Sequence, residues 1–203
     1  DPAKAPRMAA LAEPIRGPVV RRFRSLAREL KICLAFGLTE REGNELFNTA
    51  VLIDHRGRVC GTHRKARLAE GSHPSWYFDR MGHRLRAFDT PLGRAGLVIC
   101  YERWNPHIAR TLVLDGARYL LIPSYGSRAR QQNQAVVNRA RENGVPIVEA
   151  SVGLSLIVSK GEMVAYKLGY DRITVATIEI PEPPSEHAAR ASERLFLKRR
   201  PAR

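Results

Sequence analysis

The stretch Arg94-Ala95-Gly96-Leu97-Val98-Ile99-Cys100-Tyr101-Glu102-Arg103-Trp104-Asn105-Pro106 sets a short apolar run against an abrupt polar end. An apolar run this short reads as a buried strand rather than a helix, which needs ten or more residues. Asn105-Pro106 then supplies an N-cap and a first-turn proline for a helix through Ile108, Leu112 and Val113 that stops at Gly116. A strand feeding a helix is the unit of a layered α/β protein, and it leaves Cys100 at the rim of a sheet. A nearby helix N-terminus and cations stabilise a thiolate, so Cys100 is the candidate nucleophile. Cys33, inside a strand, and Cys60, in a hairpin, read as small core residues.

Before this stretch, Gly17-Pro18 opens a helix through Val19, Phe23, Leu26, Ala27 and Leu30. Residues 32–36 form an apolar run closed by Gly37 and are expected as a strand. Residues 48–54, the turn Asp54-His55-Arg56-Gly57 and residues 58–61 form a hairpin. Residues 66–83 read as a long polar loop, and such loops in compact domains are usually functional. Residues 85–89 and 94–100 flank the turn Thr90-Pro91-Leu92-Gly93 as a second hairpin.

After the stretch come a strand at 119–123, a helix from about Ala129 to Asn143 stopped by Gly144, and a strand at 145–148. Strands at 156–159, 163–166 and 173–178 complete a terminal meander. Hairpins mixed among alternating strands and helices predict a mixed sheet. From Pro181 onward, prolines and charge predict an extended arm ordered by a partner. The expected organisation is one domain over residues 1–180 and a C-terminal arm over 181–203.

The 203 residues carry 34 Lys+Arg against 20 Asp+Glu, a formal charge of +14, with 44% hydrophobic residues. That is enough apolar material for a core without a disulfide framework or metal. No apolar run approaches the roughly 20 residues of a membrane span. Three cysteines cannot all pair and residues 1–4 show no signal segment, so a cytoplasmic setting is expected. The basic residues are scattered, without the aromatic interleaving of a nucleic-acid surface, so nucleic acid is not the expected partner. The six histidines form no zinc spacing, and no serine-hydrolase elbow or phosphate-binding loop is present.

Lys65, in Thr62-His63-Arg64-Lys65-Ala66-Arg67-Leu68, stands where a strand gives way to the long loop. A lysine there can reach a rim site, hold a thiolate charged and stabilise an oxyanion. A solvated charge in a basic run is the competing reading.

The stretch 93–106 resembles the cysteine block of the nitrilase superfamily, the carbon-nitrogen hydrolases, in which a strand ends at a catalytic cysteine before an aromatic, an acid and an arginine. Residues 63–68 resemble that family's lysine block. Residues 47–54 with Gly57, 116–124 and 138–143 match further blocks in order. The resemblance implies an αββα sandwich that pairs into a homodimer or higher homo-oligomer. It implies Cys100 as nucleophile, Lys65 for the oxyanion, and Tyr101, Glu102 and Arg103 as oxyanion or supporting groups. Glu70 would be an acidic support, and no metal or organic cofactor is implied. The substrate would be a small amide, carbamoyl compound or nitrile, opened through a thioester.

Two departures from the family pattern stand out. Its general-base glutamate belongs to a segment upstream of a block like residues 11–18, so the first strand, first helix and base are expected to be missing. Neither Glu13 nor Glu40 falls at the base's position. Arg67 also stands where the family commonly has His. The alternative function is accordingly a catalytically impaired nitrilase-like module for oligomerisation or interaction, with basic nucleic-acid binding as the third reading.

Overall fold

The computed structural model describes residues 4–68, 81–125, 130–170 and 172–198. A short helix α1 (Lys4–Ala10) precedes α2 (Pro18–Leu30), which starts at the predicted proline and ends on Lys31 in a left-handed conformation. Strands β1 (Leu34–Glu42), β2 (Glu45–Ile53) and β3 (Val59–Arg64) form an antiparallel sheet in that order. The second sheet runs β4 (Ala87–Thr90), β5 (Gly93–Leu97), β6 (Tyr119–Ser124), β7 (Ile147–Ser151), β8 (Leu154–Ser159), β9 (Glu162–Leu168). Its central β5, β6 and β7 are parallel and its flanking pairs antiparallel, the predicted mixed sheet. Helices α3 (Pro106–Leu114) and α4 (Arg130–Asn143) are the crossovers, and α5 (Glu186–Lys198) follows.

Period-two alternation sorts the strand residues into layers. Val51 and Ile53 of β2, with Leu34, Phe36 and Leu38 of β1, pack on Val20 and Ala27 of α2, where Phe23 stacks on Phe36 at 4.1 Å. Ala50 and Leu52 on the opposite face meet Ala95, Leu97, Ile99 and Tyr119 of the second sheet. The far face of that sheet, through Leu120, Ile122, Ile147 and Leu156, packs on Ile108, Leu112, Val136 and Ala140 of α3 and α4. The layers are therefore α, β, β, α, the expected sandwich. Each large apolar side chain buried this way contributes on the order of 1.5–3 kcal/mol of transfer free energy.

Four expectations need correction. The first strand begins at Leu34 rather than at Ile32, and runs on to Glu42 because its polar half pairs with β2 around Gly43 at φ 58°. The strand expected to end at Cys100 stops at Leu97. Residues 173–178 alternate like a strand but are assigned none, and Ile173 and Val175 are 78% and 81% exposed. Part of the expected arm is helical: α5 lies against α3 through the His107 and Phe196 rings and the Arg110 to Ser192 bond.

Candidate functional site

The turn at Cys100 is built by the residues that follow it. After β5, Val98 N donates to Leu121 O at 3.0 Å, keeping the chain against β6 for one more residue. Cys100 then opens a 3-10 helix, Cys100–Trp104, at φ 48°, a left-handed conformation that non-glycine residues adopt at a cost. The side chains of Glu102 and Arg103 reach back to brace it. Ile99 N donates to Glu102 Oε2 at 2.7 Å, and Arg103 Nε donates to Cys100 O at 2.6 Å. Asn105 caps α3 as the sequence predicts, its side chain accepting from His107 N at 3.0 Å. The 3-10 turn Cys100–Trp104 stands in the chain between Cys100 and the start of α3.

Lys65 is buried, not solvated, with 7% exposure. Its backbone is held on both sides, Lys65 N donating to Asn48 O and Gly82 N to Lys65 O, each at 2.8 Å. Next to it Ala66 N donates to Glu102 Oε1 at 2.6 Å, and His63 Nε2 lies 2.9 Å from Glu102 Oε2. Glu102, fully buried, thus ties the lysine segment of the first sheet to the cysteine turn of the second.

Lys65 and Cys100 are close enough to perturb each other. Burial pushes the Lys65 ammonium below its ordinary pKa, against the attraction of Cys100 and Glu102 and with repulsion from Arg103. Burial pushes the Cys100 thiol up, but the Ser124 hydroxyl, the Arg103 and Lys65 charges and a backbone contact at Tyr125 outweigh it, and its pKa is lowered. As a thiol, Sγ donates to Tyr125 O at 3.4 Å. A thiolate next to two cations at a sheet rim is an arrangement for nucleophilic attack.

The structure brings Cys100, Lys65, Glu102 and Arg103 together, with Tyr101 half-buried in the same turn. Glu70 lies outside the described residues. Sequence reasoning missed His63, Ser124 and Glu149. Arg103 donates through its two terminal nitrogens to Glu149 Oε1 and Ser124 Oγ, and Gln132 Nε2 donates to Glu149 Oε1 at 3.0 Å. One signal was available for Glu149: a carboxylate inside the run Val145-Pro146-Ile147-Val148-Glu149-Ala150 has to find a buried cation.

The other nearby carboxylates are engaged. Glu40 accepts from Thr49 Oγ1 at 2.6 Å and from Arg64 at 2.9 and 2.6 Å, on the sheet face toward α2 and away from Lys65. Glu13 accepts from Val19 N at the start of α2. Among the described residues no group of three or more His, Cys, Asp or Glu could hold a metal ion, and no helix is long and apolar enough to cross a membrane. A cleft of about 520 Å³ between Asp54, His55, Arg58, Cys60, Asp89 and Pro91 sits at the hairpin turns, at the opposite strand ends from Lys65 and Cys100.

Comparison with known proteins bears on the family and the fold. A family model described as carbon-nitrogen hydrolase matches residues 3–182. A citrullinase of Francisella tularensis is 33% identical over 109 residues, covering 53% of this chain and 38% of that protein. An N-carbamoylputrescine amidase of Oryza sativa is 30% identical over 150 residues, covering 72% of this chain and 48% of that protein. The chain thus spans about half or less of the length of these relatives. A carbon-nitrogen hydrolase structure from Helicobacter pylori G27 superposes with a TM-score of 0.79 at 22% identity, over 98% of this chain and 77% of that one.

Proposed function

The chain belongs to the carbon-nitrogen hydrolase family, and on that premise we propose that it hydrolyses amide or N-carbamoyl carbon-nitrogen bonds of small molecules through Cys100. The observation that carries this reading is the buried meeting of Lys65 with a Cys100 thiol of lowered pKa. Cys100 Sγ attacks the carbonyl carbon, and Lys65 with the Tyr101 backbone N–H stabilises the oxyanion. The carbon-nitrogen bond breaks, the amine leaves with a proton, and the acyl group stays on Sγ as a thioester. Water then releases the acid and restores the thiol. Glu102, Glu40 and Glu13 are each engaged in hydrogen bonds of their own, so none of the three is assigned to activate this water.

The amidase relative acting on N-carbamoylputrescine favours carbamoyl amines within the substrate class. The exposed apolar side chains Val164, Tyr166 and Leu168 on β9 support a homo-oligomer. Three unpaired cysteines suit a reducing, cytoplasmic setting. Ammonia release from a panel of amides, N-carbamoyl amines and nitriles tests the activity. Turnover of an amide or carbamoyl compound that disappears in C100A is expected, and turnover retained in C100A overturns the mechanism.

A further inference from the structure

Glu149 occupies β7, an interior strand of the six-stranded sheet, with a side chain wholly out of solvent. Among the described residues its Oε1 takes Arg103 and Gln132, and its Oε2 has no hydrogen-bond partner. A carboxylate half-satisfied in an apolar layer is a poor way to stabilise a fold, since a buried pair often contributes less than apolar residues of the same size. Its position accounts for it better. Arg103 is itself 1% exposed and makes three contacts, to Cys100 O, Ser124 Oγ and Glu149 Oε1, and of these partners only Glu149 carries a negative charge.

Resting on the reading of Cys100 as nucleophile, we infer that Glu149 is a positioning residue for it: acting through Arg103, Glu149 holds the guanidinium against the Cys100 carbonyl and offsets the positive charge that Arg103 presents to Sγ. The groups acting on Cys100 among the described residues are Lys65 from the end of β3, Arg103 from the 3-10 turn, and Ser124 and Tyr125 from the end of β6, while Glu102 acts on Lys65. Glu102 is occupied by Ile99 N, Ala66 N and His63. Glu149 is therefore the anion that balances Arg103 from the helix-facing side of the sheet, with Gln132 of α4 fixing its orientation. Burial raises the pKa of Glu149, against the pull of Arg103, Gln132 and Ser124.

This role has a sign that simple support of the fold does not. Glu149→Gln keeps the shape and an acceptor for Arg103 but deletes the charge, so Arg103 acts on Sγ without offset and the thiolate forms at lower pH. Ser124→Ala removes a hydroxyl that stabilises the thiolate, so it forms at higher pH. The experiment is the rate of iodoacetamide alkylation against pH, read by mass spectrometry on the Cys100 peptide, in the full chain and both variants. The expected result is opposite displacement: Glu149→Gln moves the midpoint down and Ser124→Ala moves it up, each by about half a pH unit or more.

A midpoint unchanged or raised in Glu149→Gln, whatever its melting temperature, overturns the role. Should Glu149→Gln be recovered only as insoluble protein, Glu149→Asp carries the test, because it keeps the charge one methylene short of Arg103. Its midpoint is expected within about 0.2 pH units of the parent, with slower alkylation at the high-pH plateau; a larger displacement or an unchanged plateau rate overturns the role. Alkylation reads Cys100 without turnover, so failure of this ordering leaves the loss of hydrolysis in C100A standing, and the two conclusions fail separately.

Discussion

His63 Nε2 lies 2.9 Å from Glu102 Oε2 with both side chains buried, joining the strand that leads into Lys65 to the turn that carries Cys100. His63 and Lys65 share the inner face of the first sheet by strand alternation, which is why a contact made by one registers the other. The same carboxylate accepts from Ile99 N and Ala66 N, so one side chain closes the gap between sheets at the candidate site.

Glu102→Ala leaves the buried Ile99 N–H, the part-buried Ala66 N–H and His63 without this partner, and a loss of about 3 kcal/mol or more is expected in urea unfolding. His63→Ala alone is expected to cost about 1–2 kcal/mol. Because the residues touch, a double-mutant cycle should return a coupling above about 0.5 kcal/mol. Additive losses would show that the two residues act independently.

Much of this was legible in the sequence. The strand before Cys100 and the helix after it were readable because apolar run length, Asn105 and Pro106 are local signals, but the strand's end at Leu97 and the 3-10 turn Cys100–Trp104 were not. The burial of Lys65 was not, since a basic run reads as solvated until Glu102 and Cys100 are brought against it from the other sheet. Glu149 was missed for a similar reason, because its partner Arg103 is 46 residues away in sequence. Residues 173–178 failed the other way. Their alternation is real, but Ile173 and Val175 join no strand among the described residues and are exposed.

Alkylation should separate two of the cysteines by pH. Burial raises the Cys60 thiol, helped by Asp54 and Cys33, whereas the Cys100 thiol is lowered despite burial. Cys100 is therefore expected to react with iodoacetamide at lower pH than Cys60. Lys65→Met, which deletes a cation that stabilises the thiolate, should move the Cys100 midpoint up. A Cys100 midpoint at or above that of Cys60 would contradict the site's electrostatics.

Asp54 organises the turn between β2 and β3, accepting from Arg56 N at 2.9 Å and Arg58 N at 2.8 Å, with Arg58 Nε at 2.9 Å. Burial opposes its charge, but these bonds and the Arg58 charge hold its pKa below the ordinary 3.8. A depressed folded-state pKa contributes stability that is present above the unfolded value and lost as pH falls through the folded one. Asp54→Ala should therefore cost about 1–2 kcal/mol at neutral pH, and its deficit should shrink as unfolding is measured below the ordinary carboxylate pKa. A deficit independent of pH would exclude this charge as its source.

Gly61 lies where the two sheets approach, and a Cβ there would stand 2.1 Å from the Phe88 ring. Gly61→Val is expected to lose about 2 kcal/mol or more through overpacking, read as a lower urea midpoint. An unchanged midpoint would mean that the sheets part at this point without cost.

The most direct measurement is the mass of the Cys100 peptide after the protein is mixed with a carbamoyl or amide substrate and quenched in acid. The expected result is an added acyl mass on Cys100, absent in C100A and diminished in Lys65→Met. Hydrolysis that proceeds in C100A, or an acyl group found on a different residue, would contradict the assignment of Cys100 as the nucleophile.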